Sequence, residues 1–516
     1  MSLPDYEVCI DWSGDGLFTG VGEDVTARVF DRGTLLTAQY GRENGRAFDP
    51  LAGGRGGFEL DNRSRDYTPE NASSPLAGKL RSGRELRVRA TYGGTTYGLL
   101  RGYVDDVELQ PALEQRSVQV TALDGLARLR NVRLSTPLYS AVRTGAAIGL
   151  LLDAAGWPAD RRDLDVGAST LPWWWADGVD AFAALQQILD SEGPGSRVAV
   201  DTNGTFVFRD RHHRLLRAAS KTVQATWRSG GVEPCYSAPM SYNPGWRDVV
   251  NDVTYSIPVR VPSGQLENVW QMAGTRSLAD GETVALAARS GEPFFGAVPP
   301  VEGVDYTPAS GTVTTSLSRT SGQSTTVYVT AVGGPAVIDG MAVRAYPVAT
   351  QTEVEVHAED AASISDIGSR QSWPSEREPS LASLADAIAI ADIILAGRAR
   401  RQPTLTVTFR GGIPARLMQQ LGRDLSDRVR VVDSGTGLDA DCWVERIEHA
   451  VGRGDHVTTF TVERIPKVAT NPFTFNTTGQ GFNQGVFGDT GRDDAATVFI
   501  FDHATQGKFD VGLLGN

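Results

Sequence analysis

The first stretch whose residue types could support chemistry is an acidic, glycine-rich loop near the start of the chain. It reads Asp11-Trp12-Ser13-Gly14-Asp15-Gly16, which matches the opening of a calcium-binding loop. Such a loop needs a bidentate acid at its twelfth position, but Gly22 stands there and Glu23 comes one residue late. The sequence around the loop alternates like a strand, whereas helices flank loops of this class. We therefore expect an ordinary Asp/Gly turn without a metal.

Consecutive tryptophans, Trp173, Trp174 and Trp175, are the second candidate. Indole rings can stack on sugars and form a glycan-binding platform. More often, consecutive tryptophans alternate between a core and a subunit interface, where their large apolar area stabilises most. We favour this second interpretation and keep glycan contact as the alternative. The same two roles are open to the aromatic residues of the Gly-rich C-terminal stretch, namely Phe482, Phe487 and Phe509.

Catalytic and metal-binding patterns are missing from the sequence. His212 and His213 are adjacent and would point to opposite faces of a strand, so they would chelate poorly. The remaining histidines have no ligand spacing, so we expect all six to be exposed or capping; these four are His357, His449, His456 and His503. The three cysteines are far apart and form no CxxC pair. The glycine-rich run at residues 53–57 lacks the Lys-Ser/Thr and the following helix of a phosphate-binding loop. We expect no enzymatic activity, no metal and no cofactor.

The length and composition of the chain indicate a large globular protein. Its 516 residues suggest about three to five domains, and 41% hydrophobic residues argue against wholesale disorder. A net charge of −13 disfavours a general nucleic-acid or anionic-membrane binder. The most apolar run, from Leu384 to Leu395, is interrupted by Asp386 and Asp392, so we expect no membrane span. The N-terminus lacks the pattern of a signal peptide, so we expect synthesis in a cytoplasm without disulfides.

The clearest local elements lie between Thr144 and Arg211. Thr144 is a good N-cap residue, and the apolar residues that follow it at helical spacing predict a first helix. Asp180 predicts the cap of a second helix, and Gly193-Pro194 predicts its end. Asn203-Gly204 stands between alternating apolar residues, which is a strong hairpin signal. Two helices and a hairpin therefore predict a compact α/β unit.

The rest of the chain is β-like, so the fold class is mainly β and multidomain, of the α+β type. Residues 1–135 alternate apolar and polar residues between Gly-rich turns, as in a barrel or sandwich. The α/β unit spans 136–235, and 236–365 is rich in Thr, Val, Gly and Pro, which suggests an immunoglobulin-like β-sandwich. A long helix starting at Pro379-Ser380 opens a second β domain at 366–466, and 467–516 form a Gly/Phe-rich extension.

A series of short sequence motifs occurs along most of residues 6–465. The motifs are Asp11-Trp12-x-Gly14-Asp15-Gly16-x-Phe18, Asp24-Val25-Thr26, Leu60-Asp61-Asn62, Asp66-Tyr67-Thr68-Pro69, Ser74-Pro75-Leu76, Leu151-Leu152-Asp153-Ala154-Ala155-Gly156-Trp157-Pro158, Asn203-Gly204-Thr205-Phe206-Val207-Phe208-Arg209-Asp210-Arg211 and Ser363-Ile364-x-x-Ile367-Gly368-Ser369-Arg370. In this order they resemble the minor tail proteins of long-tailed bacteriophages, in particular the tail-tip or baseplate hub group.

The resemblance implies a structural virion protein at the tail tip, made in the host cytoplasm. It implies a homotrimer in which two β-barrel-like hub domains per subunit form a pseudo-sixfold ring for host attachment and genome passage. The implied partners are the distal tail protein or tail tube ring, the tape measure protein and other tail-tip proteins, with no sequence-specific nucleic acid. A host cell-surface glycan is a further candidate partner, because the rival function is a carbohydrate-binding receptor module. A tail-associated peptidoglycan hydrolase is a more distant rival.

Overall fold

The fold is mostly β. A computed structural model of the chain describes residues 3–30, 36–49, 51–111 and 116–466. Within these ranges the strands form several sheets, none of them closed. Helices in the same ranges are all too short or too polar to cross a bilayer.

The N-terminal part of the chain supplies half of the largest sheet. Its alternating apolar residues, such as Val8, Ile10 and Leu86, point into one core and are fully buried. The Gly93-Gly94 turn predicted from the sequence joins two strands as an antiparallel hairpin. The elements of this part are β1 (Asp5–Ile10), α1 (Thr26–Phe30), β2 (Leu36–Arg42), β3 (Leu51–Asp61), β4 (Glu85–Tyr92), β5 (Thr95–Pro111), β6 (Arg116–Leu123) and α2 (Gly125–Leu129).

The middle part contains the predicted helices and hairpin. Asp180 caps the second helix by accepting a hydrogen bond from a backbone N–H of the first turn (2.8 Å). Thr144 is not the N-cap of the first helix but its first residue. Its buried hydroxyl donates to the carboxylate of Glu192 (2.6 Å) and so contacts the end of the second helix. The elements are β7 (Arg133–Arg143), α3 (Thr144–Ala154), β8 (Arg162–Leu164), β9 (Thr170–Asp180), α4 (Ala181–Glu192), β10 (Arg197–Val200), β11 (Phe206–Arg209), α5 (His213–Leu216), α6 (Ala218–Lys221) and β12 (Ala225–Arg228).

Most of the following part folds into small antiparallel sheets, several of which surround a separate core, whereas its first strand, Ser241–Asn243, joins the largest sheet. Val327 and Val329, from the stretch that alternates threonine with valine, are fully buried in the separate core. The strands are β13 (Ser241–Asn243), β14 (Asp252–Pro262), β15 (Glu267–Gln271), β16 (Thr275–Leu278), β17 (Thr283–Arg289), β18 (Phe294–Val298), β19 (Pro308–Ser310), β20 (Val313–Arg319), β21 (Ser324–Ala331), β22 (Ala336–Asp339) and β23 (Ala342–Glu359).

The last part combines the long helix with strands. The helix begins at Leu384 rather than at Pro379, because the Ser383 hydroxyl accepts a hydrogen bond from the Asp386 N–H (3.1 Å) and so caps it there. A further helix, which the sequence did not predict, packs Leu417 into the protein. The elements are α7 (Ala361–Ile367), α8 (Leu384–Arg398), β24 (Thr404–Arg410), α9 (Pro414–Gly422), β25 (Arg428–Asp433), β26 (Leu438–Gly452) and β27 (Asp455–Arg464).

The N-terminal and last parts share one twelve-stranded sheet. Its main path runs β1-β4-β5-β6-β3-β2-β26-β27-β24-β13, and β25 and β12 branch from β26. The two parts meet where β2 pairs antiparallel with β26, from Leu36 opposite Val451 to Gly41 opposite Arg446. We call this pairing the seam. The strands on its N-terminal side form the first β unit, and those on the other side form the second β unit.

Candidate functional site

The seam holds a buried cluster of charged side chains from three parts of the chain. The Glu445 carboxylate of β26 contacts the Arg214 guanidinium of α5 at 2.7 Å and that of Arg42 in β2 at 3.6 Å. Their side chains are only 2%, 6% and 8% exposed. Arg42 also donates to the backbone oxygens of Asp49 (2.7 Å) and Ser196. The cluster therefore ties both β units to the middle part.

Burial disfavours the charged forms in this cluster, so it shifts the pKa values of its acid and its base in opposite directions. Desolvation raises the pKa of the Glu445 carboxyl, although the guanidinium groups of Arg214 and Arg42 oppose the shift. Desolvation also lowers the pKa of Arg42 to about 10, with Glu445 acting against it. The charges are therefore tolerated only as a paired set, and removing one member leaves the others buried without compensation.

A second buried pair lies beside the first. Glu463 of β27 binds the Arg398 guanidinium at the end of α8, and its other oxygen accepts a hydrogen bond from the Ala47 N–H (2.6 Å). The Phe48 ring lies 4.7 Å from the Arg398 guanidinium carbon. The long helix is thereby fixed to both β units.

A chain of hydrogen-bonded aromatic side chains crosses between the β units. Tyr6 of β1 bonds His456 of β27 (2.9 Å), and His456 bonds His449 of β26 (3.2 Å). Thr458 contacts both imidazoles, at 3.2 and 3.0 Å. Because β1 is the first strand of the sheet path and β27 lies beyond the seam, this contact means that the first β unit curls back on itself.

The two histidines of this hydrogen-bonded chain, His449 and His456, are buried and neutral. His449 and His456 are 4% and 0% exposed, which corrects the expectation of exposed or capping histidines. Burial lowers the pKa of His449 well below its usual value and that of His456 to about 4. Unfolding restores a pKa near 6.5, so the unfolded chain binds more protons below that pH.

We expect stability to fall as the pH drops from about 6.5 towards 4. His456 alone should contribute a loss of roughly 1.4 kcal/mol per pH unit in that window and none above it. His456→Gln should flatten the dependence of the urea midpoint on pH between 7 and 5. Equal slopes in wild type and His456→Gln would contradict a neutral buried imidazole.

The histidine pair singled out in the sequence does not chelate. His213 is 3% exposed, and its Nε2 lies 3.0 Å from the hydroxyl of Ser426, which is 1% exposed. Its Nδ1 lies 2.7 Å from the backbone oxygen of Asp210. The distance between His213 and Ser426 would suit a base and its nucleophile, but a substrate cannot reach two side chains that are buried to this degree. We therefore assign the contact between His213 and Ser426 to packing between the middle part and the second β unit.

Two clusters of mainly acidic side chains are close enough together to hold a metal ion. In both clusters the side chains already have hydrogen-bond partners within the chain. In the first, the Asp11 carboxylate accepts hydrogen bonds from the N–H groups of Gly14 (2.6 Å) and Gly16 (2.8 Å). Glu23 accepts from two further N–H groups of the same loop, so both carboxylates already bind backbone N–H groups of the turn.

The second acidic group lies on the surface beside an arginine. Arg370 donates to Asp252 (3.0 Å) and to Glu359, and His357 contacts Asp252 at 3.0 Å. The guanidinium supplies the positive charge that a metal would otherwise bring. This group is an ion-pair network.

The three tryptophans alternate as the sequence predicted. Trp174 is 1% exposed in the core of the middle part and stacks on Tyr139. Trp173 and Trp175 are half-buried on the other side of β9, where they face residues 290–325 of the same chain. Trp173 stacks on Phe295 (6.4 Å between centroids), and Trp175 donates to Gln323 (3.0 Å). The contact seen here joins two parts of one chain.

Roles of the tryptophans in a subunit interface or glycan contact stay predictions. Phe482, Phe487 and Phe509, the other aromatic candidates, lie outside the described residues.

We expect the tryptophans to differ strongly under substitution. Trp174→Ala should cost roughly 3–5 kcal/mol, because it leaves a cavity in a closed core. Trp173→Ala should leave that core intact and loosen the strand that carries Phe295. Hydrogen exchange measured by mass spectrometry should then rise around residues 290–298 and not in α3 or α4. Equal exchange everywhere would show that Trp173 does not hold this contact.

Comparisons with known proteins give structural similarity only. No protein-family model matches the sequence, and no curated protein matches it. A tail protein from Neisseria meningitidis MC58 has a similar structure, with 12% identity, a TM-score of 0.49, and coverage of 89% of this chain and 96% of that one. The 43 kDa tail protein of prophage MuSo2 from Shewanella oneidensis gives 14%, 0.48, 89% and 98% for the same quantities.

A third similar structure comes from a secretion system. The E. coli c3393 protein, a component of the type VI secretion system, is 9% identical, with a TM-score of 0.35 and coverage of 84% of this chain and 74% of that one. The structural neighbours are thus phage tail proteins and secretion-system components.

Sequence reasoning missed the seam and its charges. Arg42, Arg214 and Glu445 belong to residue types that are mostly exposed, and nothing local marks them as buried. One signal was present: in a strand, where alternate residues share a face, Glu445 would lie on the same face as Trp443 and Ile447. A carboxylate on such an apolar face needs a buried cationic partner.

Proposed function

We propose that this protein is a structural hub or minor tail protein at the tip of a phage tail. Three copies would form a ring that closes the tail tube and takes part in host attachment and genome passage. The seam is the observation that carries the proposal. It joins the two β units of a chain edge to edge, so three chains could present six similar walls around a channel.

The shape of the first β unit supports a barrel-like hub domain. Its edge strand β1 curls back to contact β27 through Tyr6 and His456. In this proposal residues 1–135 and 366–466 are the two hub domains, and 136–235 is the α/β domain between them. Residues 236–365 would be the immunoglobulin-like insertion, and 467–516 the C-terminal extension.

A position at the tail tip implies which proteins the ring would bind. The ring would bind the distal tail protein or the tail tube ring on one side, and other tail-tip proteins and the tape measure protein elsewhere. Its role would be assembly, without enzymatic chemistry.

Native mass spectrometry of the purified full-length chain tests the proposal. The expected species has three times the 55.3 kDa mass of one chain. Dilution series distinguish a specific trimer from nonspecific association, because a specific trimer keeps its stoichiometry as the concentration falls. A species that stays monomeric or dimeric at every concentration would contradict the hub role.

A further inference from the structure

A polar groove with an exposed tryptophan at its rim lies at the end of the large sheet. It encloses about 700 Å³ and is lined by β13, β24, β27 and the turn after β13. Hydroxyl side chains cross its floor in one row, since Ser241 pairs with Thr406 and Thr406 pairs with Thr461. Asn243 lies next to this row, opposite Thr404. The floor therefore offers side chains that both donate and accept hydrogen bonds.

The hydroxyl row is accessible from the groove. Thr406 and Thr461 are half-buried and Ser241 is exposed, so these side chains keep part of their surface open. Their hydroxyls can donate to and accept from the hydroxyl groups of a ligand in the groove.

The rim holds its aromatic ring in a fixed place. Trp246 is 62% exposed, and the Arg401 guanidinium lies 5.0 Å from its ring centroid. The preceding Gly245 has φ +77°, and a Cβ there would lie 2.2 Å from the backbone oxygen of Gln402. The turn that carries Trp246 is therefore packed closely against the chain. An exposed, prepositioned indole suits stacking on an apolar ligand face.

A carboxylate is also held ready beside the tryptophan. Asp248 accepts from Arg46 at 2.7 Å, and the Asp248 side chain is 36% exposed while that of Arg46 is 5% exposed. Arg46 is thus buried in its ion pair with Asp248, whereas the Asp248 carboxylate remains partly accessible to solvent. Such an acceptor suits hydroxyl groups, and the exposed Arg247, which also lines the groove, supplies hydrogen-bond donors beside it.

We propose that this groove binds a neutral saccharide, with the sugar's C–H face on Trp246 and its hydroxyls on the threonine and asparagine floor. Sugars combine an apolar face with many hydroxyls, and the groove offers both complements. A protein partner would instead favour a more apolar groove. The inference is independent of the hub role, because a monomer could bind the sugar equally well.

The test uses the full-length protein and oligosaccharides of glucose, galactose and N-acetylglucosamine, with polygalacturonate as an acidic probe. Saturation-transfer NMR identifies binders, and calorimetry measures their affinity. We expect at least one neutral probe to bind, and Trp246→Ala to weaken it by about tenfold or more. Thr406→Val should weaken it several-fold, whereas Thr406→Ser should retain it. Tyr328→Ala, at an exposed aromatic on β21, is the matched control and should bind normally.

Several results would overturn the proposal. Failure of every neutral probe to bind would do so, as would binding that survives both Trp246→Ala and Thr406→Val. Binding of polygalacturonate alone would assign an acidic ligand instead. If Trp246→Ala changes the oligomeric mass and no sugar binds, the groove is a contact between copies. A trimer without sugar binding would leave the hub role standing and remove only this proposal.

Discussion

Gly41→Ala is expected to destabilise the protein by roughly 3 kcal/mol or more, because it forces the seam apart. Gly41 has φ +122°, and a Cβ there would lie 2.4 Å from the backbone oxygen of Glu445 and 2.7 Å from the Cα of Arg446. Both atoms belong to β26, so no side-chain rotation relieves the clash. Urea unfolding should show the loss, and hydrogen exchange should rise at residues 36–41 and 446–451.

Gly78→Ala is the matched control for this substitution. Gly78 also has a positive φ (+74°), but nothing lies within 4 Å of an added Cβ. It should cost about 1 kcal/mol, from the backbone conformation alone. If Gly41→Ala is no more costly than Gly78→Ala, the two strands do not pair as closely as the seam requires.

Glu445→Gln should cost about 3–5 kcal/mol, the range for breaking a buried ion pair by removing one partner. The amide keeps the shape of the carboxylate but leaves Arg42 and Arg214 buried without a counter-charge. Because the cluster joins three parts of the chain, we expect the midpoint of urea unfolding to fall for both β units together. Tryptophan fluorescence and hydrogen exchange can follow the two units separately.

An exposed ion pair of the second β unit supplies the control. Asp439 pairs with Arg430 at 2.6 Å, and their side chains are 48% and 50% exposed. Asp439→Asn should therefore cost less than about 1 kcal/mol. An equally small cost for Glu445→Gln would mean that the Glu445 carboxyl is already protonated or that water enters the cluster.

Local features were readable from the sequence. The Asn203-Gly204 hairpin and the Asp180 cap depend on neighbours a few residues away, and both occur as predicted. The start of α8 was misplaced, because Ser380 and Ser383 are both suitable caps and only the fold selects Ser383. Thr144 shows the same limit, since its hydroxyl binds Glu192 from a different helix.

The seam could not be predicted, because strand pairing across most of the chain leaves no local pattern. β2 and β26 each alternate like ordinary half-buried strands, and their partners are decided only when both β units have formed. The sugar groove was hidden for the same reason. Trp246 ends a Gly/Pro-rich stretch, residues 230–246, whose composition predicts no more than a connection. The threonines that complete the groove come from β24 and β27.

Electron cryomicroscopy of the purified full-length chain tests the central claim most directly. The averaged view along the symmetry axis should show a threefold ring around an open channel. Each subunit should contribute two adjacent β units, continuous across the β2–β26 seam, to a wall of pseudo-sixfold appearance. Particles without a ring, or a ring in which the two β units of one chain lie apart, would contradict the account.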